Sequence, residues 1–237
     1  MRKLVVISGG SRGIGLALAH RFAREGYELA LSGRNPESLQ RAELELAKYG
    51  VPLYPFAGDM GDPEVVIAWT DALQRLEEEL SVVILNAGKF QVGGFLEETW
   101  TDFRSLMALN LESAYLLAKA LVPTFIKKRS GHIFVMGSIA GIMAHPQSAG
   151  YTISKFALQG LTKVLRETLK PHGVRVTGVL PGGTYTQSWD NVPVSPERLM
   201  PVEDIAELVW SAFQVSRRSV VEEIIVRPQL GDVLDLG

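Results

Sequence analysis

The sequence contains no cysteine, and this absence excludes several kinds of chemistry. Disulfides, thiol catalysis and most zinc sites all need a thiol. The chain has only four histidines, scattered without metal-ligand spacing, so we predict no metal site. The net charge of −2 provides no basic surface of the kind that binds nucleic acid. We therefore expect neither a metal nor a nucleic-acid partner.

Long hydrophobic runs and an N-terminal targeting signal are also missing. No apolar run reaches the length that spans a membrane, and a short strand-like segment directly follows Arg2 and Lys3. We therefore expect a cytoplasmic protein without a membrane partner. A chain of 237 residues is long enough to bury roughly 70–75% of its unfolded surface in one core. We predict a single domain over residues 1–237.

A glycine-rich turn stands near the start of the chain, at residues 8–15, with the sequence SGGSRGIG. The apolar, β-branched residues 3–7 before it indicate a buried strand, and apolar residues at helical spacing follow it. Gly9, Gly13 and Gly15 let the backbone turn tightly and approach a ligand closely. The free N–H groups at the start of the following helix favour a pyrophosphate. Because glycines also close ordinary loops, the turn alone is weak evidence for a nucleotide.

Apolar strand segments alternate with amphipathic helical segments along the rest of the chain. We predict strands at residues 3–7, 28–32, 51–56, 82–85, 132–136, 174–180 and 220–226. We predict helices at residues 13–26, 37–48, 63–80, 100–128, 150–170 and 202–214, the fourth of them divided near Asn110. Apolar strands followed by helices indicate a parallel sheet covered on both faces. The predicted fold class is therefore α/β, a doubly wound parallel sheet of about seven strands with a Rossmann fold.

Glycine and polar residues gather where the predicted strands end. They occupy residues 8–10, 33–34, 58–59, 86–88, 137–138 and 181–182. A plain scaffold also needs turn residues at such places, so each group alone says little. In open parallel sheets, however, ligands bind outside the carboxyl ends of the strands. Six such groups at one edge predict a nucleotide site there.

The end of the second predicted strand indicates which dinucleotide binds. NAD-binding proteins usually place a carboxylate there to hold the ribose 2′-hydroxyl, but this chain has Ser32, Gly33 and Arg34. Arg34, together with Arg12 in the glycine turn, favours the 2′-phosphate of NADP(H) through charge-assisted hydrogen bonds. Alternatively, both arginines are solvated surface residues.

Four polar residues suggest chemistry. Tyr151 and Lys155 are four residues apart on a predicted helix and share one face, where an ammonium group lowers the pKa of a phenol. Ser138 ends the preceding strand, so its hydroxyl can hydrogen-bond a carbonyl oxygen. Asn110 interrupts a helix and is predicted to hold a water beside Lys155. The alternatives are a surface Tyr/Lys pair, a turn serine and a tolerated asparagine.

These residues together resemble the short-chain dehydrogenase/reductase family over nearly the whole chain. The resemblance implies a catalytic tetrad of Asn110, Ser138, Tyr151 and Lys155. It implies cofactor contacts from Gly9, Ser11, Arg12, Gly13, Ile14, Gly15, Ser32, Arg34, Asp59, Met60, Asn86, Ala87, Gly88, Tyr151, Lys155, Pro181, Gly182 and Thr184. The expected substrate contacts are Ser138, Ile139, Tyr151, Tyr185 and Trp189.

The resemblance implies an oxidoreductase that transfers a hydride between NADPH and a small carbonyl or alcohol. We predict a small substrate lid at residues 184–200. Its segment 185–196 is short for a lid, which favours a ketone, a 3-oxo acid or ester, or a sepiapterin-like carbonyl over an acyl-carrier substrate. By analogy with the family, we expect a homodimer or homotetramer. The alternatives are a non-catalytic NADP(H)-sensing regulator and an NAD-linked alcohol dehydrogenase.

Overall fold

The computed structural model describes residues 3–189 and 194–232, apart from the side chains of residues 77–79. The strands are β1 (Leu4–Ile7), β2 (Glu28–Gly33), β3 (Leu53–Ala57), β4 (Leu80–Leu85), β5 (Gly131–Met136), β6 (Val174–Pro181) and β7 (Glu223–Val226). The helices are α1 (Gly13–Arg24), α2 (Pro36–Leu46), α3 (Pro63–Leu73), α4 (Trp100–Met107), α5 (Ser113–Lys128), α6 (Ala149–Leu169) and α7 (Val202–Gln214).

All seven strands form one parallel sheet in the order β3-β2-β1-β4-β5-β6-β7. β1 lies at the centre, where Val5 is paired with Leu29 of β2 on one side and with Val82 of β4 on the other. The strand order reverses direction between β1 and β4. In doubly wound sheets a ligand crevice opens at such a point, at the carboxyl ends of the strands. The predicted fold class is confirmed.

Side chains alternate between the two faces of the sheet, and each face carries its own core. Val5 and Ile7 point to the face covered by α1, α2 and α7. Leu4 and Val6 point to the opposite face, covered by α3, α5 and α6. Because both faces are covered, the central strands are apolar throughout. The sheet therefore gives rigid support to the loops at its carboxyl edge.

Most predicted elements agree with the structure to within two residues, but two predictions are wrong. The predicted helix 63–80 ends as an α-helix at Leu73, and residues 74–79 form a 3₁₀ helix that leads directly into β4. The predicted strand 220–226 begins only at Glu223, because only residues 223–226 pair with β6. The predicted division near Asn110 is confirmed. There a π-helical turn, Ala108–Glu112, separates α4 from α5.

The continuous helical stretch Trp100–Lys128 is 29 residues long, and by length and composition it is apolar enough to cross a membrane. The expectation that no stretch reaches that length is therefore wrong for this helix. The observation is weak evidence for a membrane span, because core helices of globular proteins pass the same test. Here Leu117, Leu121 and Phe125 of α5 are buried in the core beside α3 and the sheet.

The two ends of the predicted lid, residues 184–200, lie next to each other in the structure. Thr184 pairs with Met200, and the Tyr185 amide donates to the Met200 carbonyl at 2.8 Å. Two 3₁₀ turns, Gln187–Trp189 and Pro196–Arg198, lie between them. Residues 190–193 of this prediction lie outside the described residues.

Candidate active site

The glycine turn joins β1 to α1 in a backbone conformation that depends on glycine. Gly9 and Gly13 have φ values of +68° and +54°. A Cβ on Gly15 would lie 2.2 Å from the Gly9 carbonyl oxygen, so this position has no room for a larger residue. Arg12 precedes α1 without a side-chain cap, and the first turn of the helix contains no acidic residue. The amide groups at the start of α1 are thus suited to an anionic group such as a pyrophosphate.

A hydrogen-bonded network ties this turn to the end of β4. The Ser8 hydroxyl accepts from the amides of Asn86 and Ala87 at 2.9 and 3.0 Å. The Asn86 side-chain amide donates to the carbonyls of Ser8 and Gly9, both at 3.0 Å. The ends of β1 and β4 therefore form one rigid unit beneath the crevice.

Cationic and polar residues surround the end of β2. Arg12 and Arg34 are exposed, and neither guanidinium forms an ion pair within the described residues. Asn35 caps α2 by accepting from the Ser38 amide at 2.9 Å. The Ser32 hydroxyl accepts from the Gly9 amide at 3.2 Å. This arrangement, with two unpaired cations and no carboxylate at the strand end, suits a phosphate-bearing ribose.

The opposite end of the crevice holds three of the predicted catalytic residues. Ser138 lies two residues after the end of β5, and Tyr151 and Lys155 lie on the first turns of α6. The side chains of Tyr151 and Ser138 are hydrogen-bonded to each other. The Ser138 hydroxyl also accepts from the Ala140 amide at 3.1 Å, so it caps a turn as well as facing the tyrosine. Lys155 donates to the Met136 carbonyl at 3.0 Å, and its Nζ lies 5.7 Å from the centre of the Tyr151 ring.

We expected the Tyr151 pKa to be lowered, but within the protein chain it is raised. Burial raises the pKa of Tyr151, and the hydrogen bond from Ser138 only partly opposes this effect. Burial also lowers the pKa of Lys155 to about 8, because the charged ammonium group is less well solvated inside the protein than in water. Lys155 bonds the Met136 carbonyl rather than the phenol, which explains why the predicted charge effect does not dominate.

Asn110 lies fully buried in the π-helical turn, behind the crevice rather than in its wall. Its Oδ1 accepts from the Lys89 amide at 2.8 Å, and its Nδ2 donates to the Lys89 carbonyl and to Ser154 Oγ, both at 3.0 Å. Ser154 in turn donates to the Tyr151 carbonyl at 2.7 Å. Asn110 thus connects the strand-end segment after β4 to the helix that carries Tyr151. The water predicted beside it stays a prediction.

These features enclose one cleft of about 590 Å³ along the carboxyl edge of the sheet. The predicted residues that line it are Gly9, Ser11, Arg12, Gly13, Ile14, Gly15, Ser32, Arg34, Asp59, Met60, Asn86, Ala87, Gly88, Ser138, Ile139, Tyr151, Lys155, Pro181, Gly182, Thr184 and Trp189. Tyr185, a predicted substrate contact, is instead half exposed and outside the lining, because its backbone pairs with Met200 at the base of the 184–200 segment.

Several further polar residues, which no motif in the sequence indicates, line the same cleft. They are Asn35, Ser38, Lys89, His145, Gln147, Ser148, Thr186, Gln187, Ser188 and Asp232. Asn35 and Ser38 could have been found from their position at the start of a helix directly after a strand end. The others lie in loops whose approach to the cleft depends on contacts between distant segments.

Asp232 illustrates such a contact. It lies after a turn in which the Gly231 amide donates to the Pro228 carbonyl at 2.9 Å. Its side chain is 4% exposed and forms an ion pair with Arg227. One of its carboxylate oxygens would be 3.1 Å from a Cβ on Gly182. The segment after β7 therefore contributes a buried carboxylate to the cleft wall.

Comparisons with known proteins agree with this geometry. The model of the short chain dehydrogenase family matches residues 3–195. A protein of Chlorobaculum tepidum named sepiapterin reductase is 34% identical, covering 99% of this chain and 100% of that protein. A metagenomic short-chain oxidoreductase solved with NADP is 30% identical, with a TM-score of 0.84, covering 96% of this chain and 97% of that one. The L-sorbose reductase of Gluconobacter frateurii, solved with NADPH and L-sorbose, is 26% identical, with a TM-score of 0.88, covering 99% and 97%.

Proposed function

Because this chain belongs to the short-chain dehydrogenase family, we propose that it is an NADP(H)-dependent oxidoreductase that interconverts a small carbonyl compound and its alcohol. One observation carries the proposal. Tyr151, Lys155 and Ser138 line the same cleft as the glycine turn, so a dinucleotide held by the turn and a substrate at the tyrosine would meet within it.

The chain offers a suitable place for each part of NADP(H). The amides at the start of α1 suit the pyrophosphate, Arg12 and Arg34 suit the 2′-phosphate, and Asp59 with Met60 lies where the adenine is expected. When bound, the cofactor supplies a hydride equivalent to a carbonyl carbon. Relatives solved with NADP or NADPH support this choice of cofactor.

The residues at the other end of the cleft hold the reacting oxygen and supply its proton. Ser138 donates a hydrogen bond to the carbonyl oxygen and so favours the negative charge that develops there. Tyr151, kept protonated by its raised pKa, gives its proton to that oxygen during reduction and removes it during oxidation. Lys155 is close enough to the Tyr151 ring to stabilise the phenolate that remains.

The substrate is a small, polar carbonyl compound. The C. tepidum relative is named for sepiapterin, and the G. frateurii relative was solved with L-sorbose, so both names point to carbonyl substrates with further polar groups. The ring of the apolar Phe90 lies 5.0 Å from the Tyr151 ring, and the apolar Ile139 and Trp189 also line the cleft, together with polar groups. We further propose a homodimer or homotetramer in the cytoplasm as the working form.

The test compares cofactors and substrates in one experiment. Purified protein is supplied with NADPH or NADH and with small ketones, diketones, 3-oxo esters and a pterin carbonyl, and loss of reduced nicotinamide absorbance is followed. We expect turnover with NADPH. The double variant Arg12→Ala, Arg34→Ala is expected to lose about tenfold or more in NADPH affinity and little in NADH affinity, because only the 2′-phosphate contacts are removed.

Two results would overturn these assignments. Equal NADPH affinity in the double variant would place both arginines away from the ribose and favour an NAD-linked enzyme. Tight NADPH binding without turnover of any carbonyl would favour a nucleotide sensor. Lys163→Ala, an α6 substitution outside the cleft lining, is the matched control for loss of a cation.

A further inference from the structure

Phe90 places an aromatic ring directly beside the tyrosine assigned to proton transfer. Its ring centre lies 5.0 Å from that of Tyr151, and the two ring planes meet at 84°. Both residues line the cleft, and Phe90 is 36% exposed, so part of its surface is open to a bound molecule. A phenyl ring has no hydrogen-bonding group. What it offers a ligand is an apolar, aromatic contact surface.

The backbone that carries Phe90 is held on its N-terminal side by the π-helical turn. Asn110 accepts from the amide of Lys89 at 2.8 Å and donates to its carbonyl at 3.0 Å, and Lys89 directly precedes Phe90. The same asparagine donates to Ser154, which donates to the Tyr151 carbonyl. The segments that carry the two rings are therefore connected through one buried side chain.

The loop is also fastened on the C-terminal side of Phe90. The Gly93 amide donates to the Gln147 carbonyl at 2.8 Å, and the Ala149 amide donates to the Gly93 carbonyl at 2.9 Å. These bonds form a short parallel bridge between Gly93 and Ser148, directly before α6. Phe90 thus lies on a backbone that is fixed on both sides, so the wall that it forms needs little ordering when a substrate binds.

Two rings at nearly a right angle form a corner whose shape favours a flat group. Aromatic rings pair best edge-to-face or offset-stacked, with their centres about 4.5–7 Å apart. A planar group in this corner can lie against the face of one ring and meet the other ring with its edge. A saturated ring is thicker and has no π-system, so it gains neither of these contacts.

The corner adjoins the place of the reacting carbonyl. A carbonyl oxygen that accepts from the Tyr151 hydroxyl brings the groups on its carbon beside the tyrosine. Because Phe90 contacts the same tyrosine ring, a group attached directly to the carbonyl carbon is the part of the substrate best placed to reach the corner. The contact would then be sensitive to what the carbonyl carbon carries.

We propose that Phe90 is a specificity-determining residue that, together with the ring of Tyr151, binds a flat unsaturated group attached to the reacting carbonyl. The enzyme then selects aryl and heteroaryl ketones over saturated ketones of similar size. This inference rests on the proposed carbonyl reductase function and narrows its substrate class. A heteroaryl ketone agrees with the polar substrate proposed above, because its ring is flat and its heteroatoms are polar.

The test compares acetophenone with cyclohexyl methyl ketone, which has the same carbon skeleton but a saturated ring, in the presence of NADPH. In the wild type we expect a lower KM for acetophenone. Phe90→Leu keeps an apolar side chain but removes the ring. It should lower kcat/KM for acetophenone about fivefold and change that for cyclohexyl methyl ketone little. Phe90→Tyr keeps the ring and should retain the wild-type ratio of the two kcat/KM values.

Phe95→Leu is the matched control. Phe95 lies on the same loop, but it is 78% exposed and outside the cleft lining, so its replacement should leave the ratio unchanged. NADPH affinity, measured by fluorescence titration, should be the same in the wild type and in all three variants, because Phe90 is assigned to the substrate and not to the cofactor.

The outcomes distinguish the two proposals. If the two KM values of the wild type are equal, or if acetophenone is not reduced while other ketones are, the role of Phe90 is overturned and the reductase proposal stands. The same holds if Phe90→Leu lowers both substrates equally, since Phe90 would then only hold Tyr151 in place, or if it weakens NADPH binding. If no carbonyl compound is reduced by NADPH, the proposed function fails, and the role of Phe90 fails with it.

Discussion

Lys155 is a buried ammonium, and the free energy of its burial should be visible in the stability of the protein. Burial lowers its pKa from 10.5 to about 8, so between these values the folded protein binds fewer protons than the unfolded chain. Under this condition the free energy of unfolding rises with pH. The wild type should therefore become more stable relative to Lys155→Met as the pH rises from about 8 to about 10.5, by up to roughly 3 kcal/mol.

Urea unfolding of both proteins across this pH range measures the effect. Below about pH 8 the lysine is protonated in both states, so the difference between the two proteins should be constant there. A stability difference that does not change with pH would show that Lys155 titrates normally in the folded protein.

At the residue scale, the sequence indicates which residues lie together only where the signal is local. Tyr151 and Lys155 are four residues apart on one helix, and the glycines of the turn lie within a single stretch, so their spacing alone brings them together. His145 and Asp232 were missed because they reach the cleft through tertiary contacts. Asp232 does so through Arg227 and a turn after β7, neither of which leaves a pattern in the sequence.

At the scale of elements, the π-helical turn is the irregularity that shapes the site. Asn110 could be recognised from the sequence as a poor helix residue within a long helical region. Its hydrogen bonds to Lys89 and Ser154 could not be predicted from the sequence, since they join the loop after β4 to α6, two segments that are distant along the chain. π-helical turns often occur at functional sites. Here the turn places the buried side chain of Asn110 where it hydrogen-bonds both the loop after β4 and α6.

Replacing Asn110 should weaken both the fold and the reaction. Asn110→Ala leaves the amide and carbonyl of Lys89 without partners, so we expect a loss of about 1–3 kcal/mol in the free energy of unfolding. Because Tyr151 loses its link through Ser154, kcat should also fall. Denaturant unfolding and steady-state kinetics provide the measurements.

Ser105→Ala is the matched control, since it removes only an exposed hydrogen bond to the Lys89 side chain. Its stability should remain within about 0.5 kcal/mol of the wild type. If the Asn110→Ala protein is as stable and as active as this control, Asn110 does not stabilise the connection between the segment after β4 and α6.

At the scale of the whole molecule, the sequence predicts which edge of the sheet carries the site but not which strands are neighbours. The polar residues at the strand ends can be read from the chain, and in the structure they meet around one cleft. The order β3-β2-β1-β4-β5-β6-β7 depends on how the strands pair, which apolar runs of similar composition do not specify. Helix ends such as Leu73 were also misplaced, because a 3₁₀ segment continues the helical pattern.

An apolar stripe on α6 bears on the assembly. Ile153, Phe156 and Val164 are 42%, 46% and 64% exposed. Ile153 and Phe156 are neighbours on the helix surface, and Val164 lies on the same side about two turns further along. We predict that this stripe lies at a subunit interface, as the family resemblance implies. Light scattering should show a dimer or tetramer for the wild type and a smaller species for Phe156→Glu, because a buried unpaired carboxylate is costly.

A wild-type protein that is monomeric at micromolar concentration would contradict this prediction. Lys48→Glu, a charge change in the turn after α2 on the opposite face of the sheet from α6, should keep the wild-type assembly.

The most direct test of the account removes one oxygen atom from the cleft. NADPH consumption with butane-2,3-dione is measured for the wild type, for Tyr151→Phe and for the control Tyr49→Phe, whose ring lies outside the cleft lining. We predict that Tyr151→Phe loses about 10²–10⁴-fold in kcat while NADPH affinity is retained, because only the proton donor is missing. Wild-type turnover in Tyr151→Phe would contradict the central claim that this phenol supplies the proton.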